Sequence, residues 1–262
     1  MRTALTIAGS DSGAGAGIQA DLKTFAAHGV YGTTAITAVT AQNTRGVASF
    51  DALSPELIRQ QIEAVMVDLG ADAAKTGMLP SAAIVDTVAR AISDFDIPFV
   101  VVDPVMVAKS GDGLANDEAV EAMKRALLKQ AFVVTPNVPE AEALSGVAIR
   151  TDDDKKEAAR RIAAFGPSLV VIKGGHSPTA DIVDLLYDRR EFAEFRHPRM
   201  AGRHTHGTGC TFAAALAAHL ALGRSVRDAI PLIQAYIAGA IEHAPELGEG
   251  NGPMNHFWRR SG

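Results

Sequence analysis

Short apolar runs recur along the chain, each followed by a longer stretch in which apolar positions return every three or four residues. The runs at 4–8, 34–40, 73–76, 99–103, 132–135 and 169–173 predict β-strands. Several are apolar at consecutive positions, the pattern of strands covered on both faces. The stretches between them carry helix signals. Ser54-Pro55-Glu56 places a cap residue before a proline at the first helical position. Ile62, Val65, Met66 and Leu69 then follow at helical spacing. Thr151, followed by Asp152, Asp153 and Asp154, starts a second helix with acids at its positive end. This alternation predicts an α/β fold: a doubly wound, mostly parallel sheet with helices on both faces. Two segments depart from it. Residues 181–188 and 191–196, joined through Arg189-Arg190, read as a hairpin that gives the sheet an antiparallel edge, and 46–53 is a further candidate strand. The glycine-rich stretch 248–253 reads as a loop. No composition shift, repeat or low-complexity tract divides the chain, so a single domain is expected over 1–262.

Composition narrows the class. A chain of 262 residues, 47% apolar and 21% charged, has material for a large buried core and is not of a disordered type. With 25 basic and 30 acidic residues the net charge is −5, against charge-driven nucleic-acid binding. One cysteine excludes an intramolecular disulfide or a multi-cysteine metal cage. The first apolar run is too short for a secretory signal. The most apolar later run, 210–222, is interrupted by Thr211 and His219 and is too short to span a bilayer. A cytoplasmic protein without membrane contact is expected.

In open parallel sheets ligands bind beyond the carboxyl ends of the strands, and six segments place unusual chemistry there. Gly9-Ser10-Asp11-Ser12-Gly13-Ala14-Gly15-Ala16-Gly17 joins the first strand to a helix that carries Asp21 and Lys23. Such a loop brings backbone close to a ligand, or is simply a flexible turn. Its spacing fits neither the dinucleotide fingerprint nor the Walker A loop. Gln42, in Gln42-Asn43-Thr44, both donates and accepts, which suits the edge of an aminopyrimidine; a capped turn is the plain alternative. Asp103, followed by Pro104-Val105-Met106, ends an apolar strand where a metal- or phosphate-facing acid would sit, or it caps a helix or turn. Asn137 and Glu140 stand three apart at a helix start, as ligands or as caps. Lys173 ends a strand before Gly174-Gly175-His176, facing phosphate or snorkelling at an edge. Finally, His204-Thr205-His206-Gly207-Thr208-Gly209-Cys210 opens an Ala-rich helix. First-turn amides there form an anion hole, and the helix field favours a Cys210 thiolate. By itself a cysteine in such a helix reads as core filling. The His-x-His pair is a weak metal pattern.

These six segments, in this order, resemble the ribokinase-like superfamily, and within it the hydroxymethylpyrimidine/phosphomethylpyrimidine kinases of thiamine biosynthesis. The resemblance runs from Leu5-Thr6-Ile7-Ala8-Gly9-Ser10-Asp11 to Gly252-Pro253-Met254-Asn255-His256-Phe257. It is closest in Gly15-Ala16-Gly17-Ile18-Gln19-Ala20-Asp21-Leu22-Lys23-Thr24-Phe25 and Thr37-Ala38-Val39-Thr40-Ala41-Gln42-Asn43-Thr44. It implies ATP-dependent phosphorylation of a hydroxymethylpyrimidine and then of its monophosphate. By position it implies a substrate pocket of Gly9, Asp21, Gln42 and Met78, with Val105 and Met106 beside it. It implies Asp103 and Glu140 for Mg²⁺, Asn137 and Lys173 for the ATP phosphates, and Gly207, Thr208 and Gly209 as the anion hole. Most of the superfamily places an aspartate as catalytic base at this position, whereas the pyrimidine kinases resemble this chain in having a cysteine there, Cys210. A pyridoxal kinase is the alternative within the superfamily. The resemblance also suggests a homodimer.

Overall fold

The structure is a computed structural model that describes residues 1–106, 114, 116–175, 181–200 and 202–260. Its strands are β1 (Thr3–Ser10), β2 (Tyr31–Asn43), β3 (Gly46–Ala52), β4 (Ala73–Thr76), β5 (Val100–Val102), β6 (Val133–Val134), β7 (Leu169–Ile172), β8 (Asp181–Tyr187) and β9 (Phe192–Pro198). They form one sheet in the order β3-β2-β1-β4-β5-β6-β7-β8-β9. The six strands from β2 to β7 in that order run parallel. The expected hairpin, β8–β9, adds antiparallel strands at one edge, and β3 adds another at the opposite edge. The sheet therefore has antiparallel strands at both edges, where the sequence pattern predicts one such edge and a further candidate strand at 46–53.

The helices are α1 (Gly17–Ala27), α2 (Pro55–Asp68), α3 (Ala82–Asp94), α4 (Asp117–Ala122), α5 (Val138–Ser145), α6 (Asp152–Ala164), α7 (Thr208–Ala221) and α8 (Val226–Glu242). A π-helical turn, Met123–Leu127, continues α4. The two read starts hold. Ser54 accepts a hydrogen bond from Leu57 N ahead of Pro55, and Thr151 forms a capping box with Asp154. One apolar core lies between the sheet and α2 to α6, and a second lies beneath α1, α7 and α8. Helix α7 is buried nearly all round, which is why its composition is Ala-rich. Small side chains let its backbone lie against β1, β4 and β5, while Phe212 and Leu216 each contribute about 1.5–3 kcal/mol by burial.

Three central strands are shorter than the apolar runs predict. Asp103, Thr135 and Lys173 fall outside β5, β6 and β7 because the chain leaves the sheet there to turn over its end. Phe99, at the other end of β5, has φ +47°, which breaks the extended run. Strand β2 is longer than 34–40, since its pairing with β3 continues to Asn43 after β1 has ended.

Candidate active site

A cavity of about 1070 Å³ opens beyond the carboxyl ends of the parallel strands. Gly9, Gln42, Met78, Asp103, Val105, Met106, Asn137, Glu140, Lys173, Gly207, Thr208, Gly209 and Cys210 all border it. Six segments distant in sequence thus meet in one cleft. His176 lies outside the described residues.

At the expected phosphate end, α7 starts from Gly207, whose φ of +81° is open to glycine without strain. A side chain there would also strike the Gly15 carbonyl oxygen. Helical bonding begins with Thr211 N donating to Gly207 O at 2.8 Å, so the Gly209 and Cys210 amides belong to the orphan first turn that attracts anions. A Cβ built on Gly209 would lie 3.4 Å from Lys173 Nζ and 4.0 Å from Asp103 Oδ2, which puts lysine and anion hole side by side. Lys173 Nζ donates to Asp103 Oδ1 at 2.8 Å. Burial alone would lower the Lys173 ammonium, but Asp103 and Glu140 outweigh it and hold it above its ordinary range. Asn137 and Glu140 form a capping box: Asn137 Oδ1 accepts from Glu140 N at 3.0 Å, and Glu140 Oε2 accepts from Asn137 N at 2.8 Å. Capping and cleft-lining are therefore both true of this pair. Burial, reinforced by Asp103 and opposed by Lys173, pushes the Glu140 carboxyl up to about 7.

Cys210 corrects one expectation. Its sulfur accepts a hydrogen bond from Gly17 N and feels the Lys75 ammonium, yet burial outweighs both and pushes the thiol up to about 11. This burial favours the thiol over the thiolate that the helix field alone predicts.

At the expected ring end, Gly9 lets Met78 close over the pocket floor, since a Cβ there would meet the Met78 sulfur at 3.0 Å. The Gln42 side chain lies between Thr40 Oγ1, 3.2 Å from its Oε1, and His206 Nε2, 3.3 Å from its Nε2. Asp21 is a second correction. Its carboxylate is 0% exposed and does not border the cavity. It accepts from Thr6 Oγ1 at 2.6 Å and from Lys75 Nζ at 2.8 Å. Asp21 acts on the pocket through Lys75, which does border it. Burial alone would lower the Lys75 ammonium, but Asp21 leads the charges that hold it above the usual lysine range.

Sequence reasoning missed Lys75, although a lysine inside the short run 73–76 was a visible anomaly. It also gave no role to Asp11 and His206. Asp11 accepts from Gly13 N at 2.8 Å, Gly15 N at 3.1 Å, Ala16 N at 2.8 Å and His206 Nε2 at 3.0 Å. Among the described residues no group of three or more His, Cys, Asp or Glu is arranged to hold a metal by itself. Asp103 and Glu140 instead offer two hard oxygen donors beside the anion hole, which suits a magnesium ion that takes its other ligands from phosphates and water.

Known proteins similar to this chain are kinases. The family described as phosphomethylpyrimidine kinase matches residues 11–255. The hydroxymethylpyrimidine/phosphomethylpyrimidine kinase of Bacillus subtilis is 51% identical, covering 97% of this chain and 94% of that protein. The thiamine biosynthesis bifunctional protein ThiED of Geobacter sulfurreducens is 48% identical, covering 97% of this chain and 52% of its own length. Among solved structures, an ADP complex of Bacillus subtilis pyridoxal kinase superposes with a TM-score of 0.92 at 40% identity, covering 100% of both chains.

Proposed function

The chain belongs to the phosphomethylpyrimidine kinase family, and from that premise we propose how its cleft carries out the two reactions. The enzyme transfers the γ-phosphoryl group of ATP to 4-amino-5-hydroxymethyl-2-methylpyrimidine, then phosphorylates the monophosphate, within thiamine biosynthesis. The observation that carries the assignment of roles is the meeting of Gln42, Cys210 and the Lys173–Asp103 pair in one cavity.

In our reading, Gln42 meets the ring edge, with Gly9, Met78, Val105 and Met106 as the surrounding wall. Lys173, Asn137 and the anion hole at Gly207, Thr208 and Gly209, led by the Gly209 amide, hold phosphate oxygens. Asp103 and Glu140 would hold Mg²⁺, which when bound would supply positive charge against the phosphates. In the first reaction the hydroxymethyl oxygen forms a bond to the γ-phosphorus, the bond to the β-bridging oxygen breaks, and ADP leaves. Lys173 and the anion-hole amides stabilise charge on the transferring group, the largest contribution in such reactions. The alcohol proton goes to Cys210 in the fraction of enzyme whose thiol has already given its own proton to bulk water. The second reaction starts from a phosphate monoester, already anionic at neutral pH, and makes no such demand.

Separate assays of the two phosphorylations with purified protein and Mg-ATP test this reading, with pyridoxal as competing substrate. Turnover of pyridoxal above that of the pyrimidine would overturn it in favour of a pyridoxal kinase, the activity named for the superposed structure. Gln42→Ala is expected to weaken pyrimidine binding and leave ATP affinity unchanged. ATP as phosphoryl donor carries with it a cytoplasmic location in our reading. Among the described residues no helix is long and apolar enough to cross a membrane. We also propose a homodimer, supported by exposed Val39 and Phe50 near the β3 edge and tested by sedimentation equilibrium.

A further inference from the structure

The Asp11–His206 pair takes no part in the roles above, yet it occupies a junction. The His206 ring fills the space beside Gly15, where a Cβ would come within 2.4 Å of its Cδ2. Its backbone N donates to Gly252 O at 3.2 Å, and it pairs as a β-bridge with Pro253. The ring is thereby pinned among the glycine-rich loop, the 248–253 tail and Gln42. Its tautomer follows from its neighbours. Asp11 is 3% exposed; burial would raise its carboxyl, but the His206 hydrogen bond and the Ala16 and Gly13 amides together hold it below the usual range. A carboxylate only accepts, so the 3.0 Å contact requires a proton on His206 Nε2.

That proton has a consequence for Gln42. The amide nitrogen of Gln42 lies 3.3 Å from His206 Nε2, so a donor faces a donor. On the other side, the single proton of the Thr40 hydroxyl is shared between Ser10 O at 2.9 Å and Gln42 Oε1 at 3.2 Å. If it goes to the shorter contact, Thr40 Oγ1 presents lone pairs to the amide. Both neighbours then favour the amide turned end for end, with Nε2 toward Thr40 and Oε1 toward His206, whose single Nε2 proton it shares with Asp11.

We propose that His206, held by Asp11, is a positioning residue that fixes which way round the Gln42 amide meets the substrate. The amide keeps one lone pair and one N–H for the cavity, in a set order. That order matches a heteroaromatic edge with an exocyclic amino group beside a ring nitrogen. It fails to pair fully with a ring that lacks the amino donor, and an unpaired buried polar group is the stronger source of discrimination. This inference rests on the reading that Gln42 contacts the ring.

The test is a double-mutant cycle read by calorimetric binding, so catalysis does not enter. The ligands are the hydroxymethylpyrimidine, its analogue without the 4-amino group, and ATP. His206→Ala is expected to weaken pyrimidine binding about tenfold, the scale of one hydrogen bond, and to narrow the preference over the des-amino analogue. ATP affinity should stay within about twofold, and His206→Gln, whose amide N–H stands in for the imidazole donor, should restore most of the loss. In a Gln42→Ala background, His206→Ala should add little, because coupled residues are non-additive. Additive losses, or an equal loss of ATP affinity in both His206 variants, would sink the proposal while leaving Gln42 as a contact. If Gln42→Ala alone leaves pyrimidine affinity intact, the pocket reading itself fails, and that outcome is told apart by the single variant.

Discussion

At the scale of single residues, Cys210 and Lys75 make opposite demands. Cys210 is pushed up to about 11 by burial, so below that value its thiolate fraction rises about tenfold per pH unit. If the thiolate accepts the alcohol proton, the first phosphorylation should climb steadily from pH 7 to 9 while the second stays nearly flat. Cys210→Ser and Cys210→Ala should reduce the first reaction by about 10²–10⁴-fold, the range of general-base catalysis, and spare the second. Equal losses in both reactions, or a flat profile in both, would reduce Cys210 to a packing residue of the anion hole. Lys75 is a structural charge before it is a chemical one. Lys75→Met leaves the fully buried Asp21 unpaired, a change that costs about 3–5 kcal/mol in such pairs. Urea unfolding should show that loss, and the double variant Lys75→Met/Asp21→Leu should recover much of it. A double variant no more stable than the single one would mean that Asp21 is not the source.

At the scale of elements, the start of α7 separates two uses of glycine. Gly207 has φ +81° and no room for a side chain against Gly15 O, whereas a Cβ on Gly209 meets Lys173 Nζ at 3.4 Å and Asp103 Oδ2 at 4.0 Å, both ordinary contacts. Gly207→Ala should therefore lower the melting temperature and the rate together. Gly209→Ala should melt like the parent and lose rate, because the methyl group intrudes on the anion hole beside Lys173. Equal melting temperatures for both variants would refute this division. The same elements show what was legible in the sequence. Apolar runs flagged the central strands, and punctuation by Ser54-Pro55 and Thr151 marked helix starts, because these are local signals. Asn137 and Glu140 were legible as neighbours on one turn, though not as simultaneous cap and cleft wall. The Asp21–Lys75 and Asp11–His206 pairs were not legible, since each spans 54 or 195 positions and depends on how the sheet brings its strand ends together. The effect of burial on the Cys210 thiol was not legible for the same reason. The helix field is local, but the burial that overrides it is tertiary.

At the scale of the whole molecule, the face built from α1, α7, α8 and the C-terminal segment encloses histidines that resist protonation. His219 is 5% exposed and His256 3% exposed. Burial first, then nearby cationic groups, pushes each down to about 4. His28 packs edge-on against both His219 and Tyr236, at ring separations of 4.9 and 4.6 Å, so the patch offers little room for added charge. An unfolded histidine takes its proton near 6.5. Between that value and about 4, the unfolded chain therefore binds protons that the native state refuses. The stability these two residues provide is complete above about 6.5 and drains away as pH falls toward 4. Glu140 works in the other direction, because its native value near 7 lies above the unfolded 4.5 and the native state protonates first. Two losses against one gain leave a net loss on the order of 3 kcal/mol by pH 4. All the strands share one sheet, so calorimetry should show a single transition, and we expect it to move down by roughly 5–10 °C between pH 7 and 4.5. His219→Leu should flatten that slope, since the apolar replacement removes a proton site from the unfolded chain while keeping the patch filled. A slope unchanged in His219→Leu would show that the acid sensitivity arises elsewhere, and two separate transitions would show that the sheet does not unfold as one domain.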